Sequence, residues 1–138
     1  MLVVLMPGLL LGLFACGKKE VKPVTPESKT AQEAFELAEK IREAYEQQDK
    51  SALGEYTTDD GYHELTGAFK SFDRAHLTFT PTWVGIKEST VSLNISWKGT
   101  WTVRGTVTTE SGLAVFILEG SPLRLSKVLR ENPFRQPE

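Results

Sequence analysis

From Val91 to Val107 every odd position is apolar or glycine: Val91, Leu93, Ile95, Trp97, Gly99, Trp101, Val103, Gly105, Val107. Every even position from Ser92 to Thr108 is polar, mostly Thr and Ser. Side chains of a strand alternate between two faces, so this run specifies a sheet with one buried and one open face. A two-residue turn at Lys98-Gly99 would send Trp97 and Trp101 to opposite faces. A single strand bent at Gly99 and Gly105 keeps them together, and that is the expected arrangement. Glu110-Ser111-Gly112 is then the expected hairpin turn, with Leu113 to Leu118 returning as a central strand, apolar on both faces. Leu123 to Leu129 reads as a last strand, with a helix fitting its later part nearly as well. Leu77, Phe79 and Trp83 read as a first strand, irregular at Pro81.

The preceding stretch has helical period. Thr30-Ala31-Gln32-Glu33 has the form of a capping box. Ala34, Phe35, Leu37, Ala38, Ile41, Ala44 and Tyr45 then make one apolar stripe, opposite Glu36, Glu39, Lys40, Glu43 and Glu46. That Glu-rich side reads as a solvated face. Asp49 is the expected cap of a short second helix with Leu53 and Tyr56 inward. Asp60 is the expected cap of a third, with Leu65, Ala68, Phe69 and Phe72 on one side.

Helices first and then a bent, mostly antiparallel sheet of about four strands define an α+β fold with the helices packed on one face. Over about residues 31–134 this order resembles the nuclear transport factor 2-like superfamily. The resemblance is carried by Tyr45-Glu46-Gln47-Gln48-Asp49, Trp97-Lys98-Gly99-Thr100-Trp101, Gly112-Leu113-Ala114-Val115-Phe116 and Asn132-Pro133-Phe134. It implies a cone-shaped domain over residues 30–138 enclosing a pocket. Some members are isomerases, dehydratases or cyclases, others only bind, and fold alone does not choose between them.

The first residues carry a second resemblance. An apolar run from Leu2 to Phe14 ends at Ala15 and then Cys16, the one cysteine of the chain, followed by Lys18 and Lys19. It contains Pro7 and Gly8, and it is shorter than the roughly 20 apolar residues a membrane-spanning helix needs. The pattern resembles the lipobox of a bacterial lipoprotein, although no basic residue precedes it. The resemblance implies a signal peptide over residues 1–15, cleavage before Cys16 and acyl chains on its sulfur. It also implies a bacterial cell-envelope address, with Gly17 favouring the outer membrane facing the periplasm. Two or more chains give stable anchoring at ~0.8 kcal/mol per buried methylene. Residues 16–29, rich in charge and proline with Val21 and Val24 as the only large apolar residues, read as the lipidated cysteine and a flexible tether. A domain left without a thiol forms no disulfide and no zinc–cysteine site.

Net charge is −2, without the basic excess that marks nucleic-acid binders. Arg124, Lys127, Arg130 and Arg135 cluster near the end, offset by Glu131 and Glu138. The inward residues of the long alternating run include no Asp, Glu, His or Tyr, which speaks against an acid–base site of the ketosteroid-isomerase kind. No catalytic residue, metal ligand or cofactor is therefore assigned. Tyr56, Asp59, Asp60, Tyr62, His63 and His76 are the titratable residues expected near a cone mouth. A base there, His63 or an aspartate, is the alternative reading as a small pocket enzyme. His63 and His76 lack a third metal ligand. Tyr56, His63, Trp83, Trp97 and Trp101 are the candidate lining of a pocket for a small apolar ligand, the tryptophans serving equally as core. The Thr- and Ser-rich open face offers a surface for an envelope protein or for a second copy of the chain. The expected function is that of a lipid-anchored, non-catalytic ligand- or partner-binding domain.

Overall fold

The computed structural model describes residues 25–137. Cys16 and the signal-like run lie outside the described residues. Three helices, α1 (Pro26–Glu46), α2 (Lys50–Tyr56) and α3 (Asp59–Gly67), precede four strands. These are β1 (Arg74–Lys87), β2 (Thr90–Val103), β3 (Thr106–Glu119) and β4 (Arg124–Arg130), joined in the order β1-β2-β3-β4, each antiparallel to the next. The helices pack on one face of a curved, open sheet, as the element order predicts. No described helix is long and apolar enough to cross a membrane.

The α1 stripe is buried as its spacing requires, with Ala34, Leu37, Ala38, Ile41, Ala44 and Tyr45 on the sheet. The expected start at Thr30 is corrected. Thr25 is the cap, its hydroxyl accepting from the Ser28 amide at 3.1 Å, and Pro26 opens the first turn, where its missing N–H costs nothing. Thr30 instead donates its hydroxyl back to the Pro26 carbonyl. Residues 26–29 therefore belong to the helix and not to a tether. In α3 the cap is Thr58, which accepts from Gly61 at 3.1 Å, rather than Asp60, which sits exposed in the first turn. That helix stops at Gly67, so Phe69 and Phe72 reach the core from the segment that follows it.

The single bent strand through Val107 is also corrected, and so is the turn at Glu110-Ser111-Gly112, which lies inside β3. The hairpin turns at Arg104-Gly105, between the paired residues Val103 and Thr106. Both turn residues have positive φ, 49° and 79°, the pattern of a two-residue turn whose twist matches the strands. Such a turn inverts the parity of the pattern. Odd residues from Val91 to Trp101 face the core in β2, whereas in β3 the buried residues are Ala114, Phe116 and Leu118. Trp97 and Trp101 do share the inner face. The expected irregularity at Pro81 is present as a register shift between Pro81 and Trp83, which turns Trp83 outward and Val84 toward the core.

Candidate functional site

The inside of the cone is occupied by aromatic side chains. Tyr45 from α1 meets Phe69 at 5.3 Å, Phe72 at 5.2 Å and Phe134 at 5.1 Å between ring centroids. Phe134 also stacks on Phe116 at 5.8 Å and meets Phe79 edge-on at 5.9 Å. It arrives from the C-terminal segment, where the Asn132 side-chain oxygen accepts its amide at 2.9 Å and turns the chain inward. Trp101 donates its indole N–H to the Tyr45 hydroxyl at 2.9 Å, in full burial. Burial pushes the Tyr45 phenol up to about 12, partly opposed by that indole N–H. Trp97 meets Trp101 edge-on at 6.3 Å and donates to the Glu131 carbonyl at 2.9 Å.

Among the described residues no acid–base pair faces this chamber. Apart from Tyr45, its lining is apolar, and every buried side-chain polar atom among the described residues has a partner. His63 is exposed on α3 with its ring edge toward Tyr62, and Asp59 and Asp60 stand in solvent. His76 is exposed on β1, 3.7 Å from Glu46, whose carboxylate is held by Arg42 at 2.9 Å and by the Leu77 amide at 2.7 Å. No group of three His, Cys, Asp or Glu that could hold a metal ion occurs among the described residues.

The structure brings Trp97 and Trp101 together and leaves the other candidates apart. Tyr56 lines a shallow depression of about 270 Å³ with Glu33, Lys40 and Leu123. Trp83 is 63% exposed on the outer face, its ring lying over Gly85. What the sequence reading missed is the role of Phe134. Its signal was the Asn-Pro pair before it, which turns the chain and lets a residue near the end point back into the body.

Two surfaces remain open. Among the described residues no helix lies over the outer face of the sheet. Pairing places Trp83 beside Asn94, Asn94 beside Val115, and Val115 beside Leu129. With Leu113 and Ile117 these form an apolar patch in a Thr- and Ser-rich field, and Leu113 is 49% exposed. On the inner side, a depression of about 780 Å³ opens between β3 and the C-terminal segment. Phe69, Trp97, Glu110, Arg130, Asn132 and Arg135 are among its walls.

Three helices backing a curved four-stranded antiparallel sheet match the nuclear transport factor 2-like α+β cone in fold. The solved structures it is similar to agree. A nuclear transport factor 2-like superfamily protein from Salmonella enterica serovar Typhimurium superposes with a TM-score of 0.66 at 14% identity, over 74% of this chain and 89% of that one. A conserved protein from Planctomyces limnophilus superposes at 0.61 with 15% identity, over 72% and 93%. Such identities speak to fold alone. No family model matches the chain, and no curated protein matches it.

Proposed function

We propose that the chain is a lipid-anchored domain of the bacterial cell envelope that binds a partner and catalyses nothing. Its working surface is the outer face of the sheet. One observation carries this reading: the cone interior is filled by the chain's own aromatic rings, while Trp83, Leu113 and Leu129 stand exposed and Val115 and Ile117 half-buried on the opposite side. The anchor is Cys16, acylated after cleavage, at the outer membrane facing the periplasm. The enzyme alternative needs a base in the chamber, and His63, Asp59 and Asp60 are outside it.

A second copy is the occupant this face fits. At ~3.3 Å per residue and ~4.8 Å per strand, the face spans roughly 800 Å², the share each partner contributes to a standard stable interface. Its apolar residues are concentrated on β3, while Arg74, Lys87, Lys98, Arg124 and Lys127 share the face with Glu119, so pairing of two copies is expected to strengthen as salt screens these like charges. In cells, Leu113→Cys introduces the only thiol besides Cys16. Mild oxidation is expected to yield a disulfide-linked dimer, whereas His63→Cys on the helical side stays monomeric. A Leu113→Cys chain that remains monomeric in envelope vesicles counts against the dimer. Envelope proteins captured through the same thiol would reassign the face to them. The anchor has its own test: Cys16→Ala no longer incorporates labelled fatty acid, and a mutant that still fractionates with membranes places the anchor elsewhere.

A further inference from the structure

Each open edge of a sheet presents unpaired N–H and C=O groups that pair with any extended chain, and proteins blunt such edges. The free side of β1 is interrupted by Pro81, which has no N–H to donate, and by the register shift beside it. β4 has its free side covered: the Thr58 amide donates to the Leu125 carbonyl at 2.9 Å, and the Glu64 carboxylate accepts from the Val128 amide at 3.3 Å. The edge of β3 is different. β4 pairs with it only between Ala114 and Glu119. From Thr106 to Gly112 no described strand lies on the side away from β2. That stretch reads Thr-Val-Thr-Thr-Glu-Ser-Gly, with no proline, no lysine and no register shift.

The chain itself demonstrates what this edge accepts. At Leu113 the Glu131 amide donates to the carbonyl at 3.1 Å, and the Glu131 carboxylate accepts the Leu113 N–H at 2.6 Å. Hydrogen-bonding direction alternates along an antiparallel strand. Val107, Thr109 and Ser111 therefore aim their N–H and C=O groups the same way as Leu113, into an open lane. Beside the lane on the inner side lies the depression walled by Trp97, Arg130 and Arg135. Of the two acids there, Glu131 already has its carboxylate on Leu113, and the other charged residues of the lining are Glu110, Lys70, Arg130 and Arg135, a basic excess.

We propose that the lane along Thr106–Gly112 is a strand-addition site for an extended, acidic segment of a partner protein. Backbone groups of Val107, Thr109 and Ser111 supply the ladder. Alternate side chains of the guest drop toward Arg130 and Arg135, which recognise carboxylates through charge-assisted hydrogen bonds. This surface is distinct from the outer face, so the inference stands whether or not two copies pair there.

The test uses the mature lipidated protein in detergent and two eight-residue probe peptides, one alternating Val with Glu and one alternating Val with Lys. The Glu peptide is expected to slow amide exchange at Val107, Thr109 and Ser111 while leaving Thr108 and Glu110, already bonded to β2, unchanged. Thr109→Pro removes one donor from the lane and weakens the Glu peptide by about tenfold, the worth of one or two main-chain hydrogen bonds. Arg135→Glu weakens the Glu peptide and not the Lys peptide. If Thr109→Pro unfolds the domain by circular dichroism, the exchange pattern of the unmutated protein decides. Equal binding of both peptides, or binding without protection at those three amides, overturns the proposal. Protection at the same amides without peptide, lost on dilution, overturns it in favour of edge-to-edge self-pairing.

Discussion

Phe134→Ala tests whether the chamber is closed by the chain's own tail. The ring is fully buried among Tyr45, Phe79 and Phe116. Two contributions set the cost. Returning the ring's apolar surface to water is worth ~2 kcal/mol. A residual void of roughly 100 Å³, at ~24 cal/mol per Å³, adds about 2.4 kcal/mol. Relaxation lowers the second, because Phe134 lies near the end of the chain and its segment is tied by few bonds, notably Trp97 to the Glu131 carbonyl. A net loss of about 3–4 kcal/mol follows, and for a domain of this size a Tm lower by at least about 10 °C. The assay is urea denaturation read at the tryptophans, with unmutated protein alongside. A second readout separates a void from a collapse: an apolar cavity that stays dry binds benzene, so benzene raises the Tm of the variant and not of the parent. A loss below about 1 kcal/mol with no benzene effect refutes the reasoning, because it means that the ring does not fill the chamber.

Two further outcomes follow from the same packing. The Tyr45 phenol titrates near 12 in the fold because burial disfavours the phenolate, against about 10 in the unfolded chain. Its stabilising contribution is complete below pH 10 and is lost as pH rises toward 12, for a total of ~2–3 kcal/mol; Tyr45→Phe, followed by denaturant titration across pH 9–12, flattens that part of the profile. Gly61→Ala drives a methyl group into the Leu125 carbonyl where α3 crosses β4. The helix-propensity gain of up to ~1 kcal/mol is outweighed by overpacking of ~1–3 kcal/mol against backbone that cannot yield, so urea midpoints fall.

How much of this was legible in the sequence depends on whether a local rule had a rival. The α1 stripe had none, because burial enforces one period and nothing else explains it, and the rival turn at Lys98-Gly99 was excluded by the alternation that keeps Trp97 and Trp101 on one face. The β2–β3 turn had a rival. Gly105 and Val107 continue the apolar parity of β2, yet Gly105 is there for its positive φ and Val107 ends up 62% exposed on the outer face. Composition cannot distinguish a glycine that fills an inward slot from one that makes a turn. The start of α1 failed for a similar reason, since Thr25-Pro26 and the Thr30–Glu33 box are both good start signals, and the exposed first turn of the longer helix is held locally by the Thr25 cap. The site was legible only in part. The hairpin at Arg104-Gly105 puts Glu110 on the inner side opposite Gly99, which the single-strand reading had not placed, and no periodicity announces that Phe134 returns from the end of the chain to occupy the interior.

The geometry also ties the two open surfaces to the proposed anchor. Glu33 in the first part of α1 accepts the Leu123 amide at 3.2 Å, so the helix enters the fold beside the β3–β4 connection. Glu119, the last residue of β3 before that connection, pairs with Thr90, and Thr90 with Lys87, which puts the β1–β2 turn at the same end. The β2–β3 turn at Arg104-Gly105 is therefore at the opposite end, and β2, at 14 residues, separates the two by roughly 45 Å at ~3.3 Å per residue. Thr25 lies nine positions after Cys16, a contour of at most ~30 Å. A chain held by its sixteenth residue is then held at the end where the apolar patch begins, with the open edge of β3 at the far end. Both surfaces belong to β3, one through the outward side chains of Leu113, Val115 and Ile117 and the other through the backbone of Val107, Thr109 and Ser111. A guest strand in the lane would widen the outer face by one strand, so occupancy of the edge is expected to strengthen whatever docks on the face, and the two bindings should be measured together as well as apart.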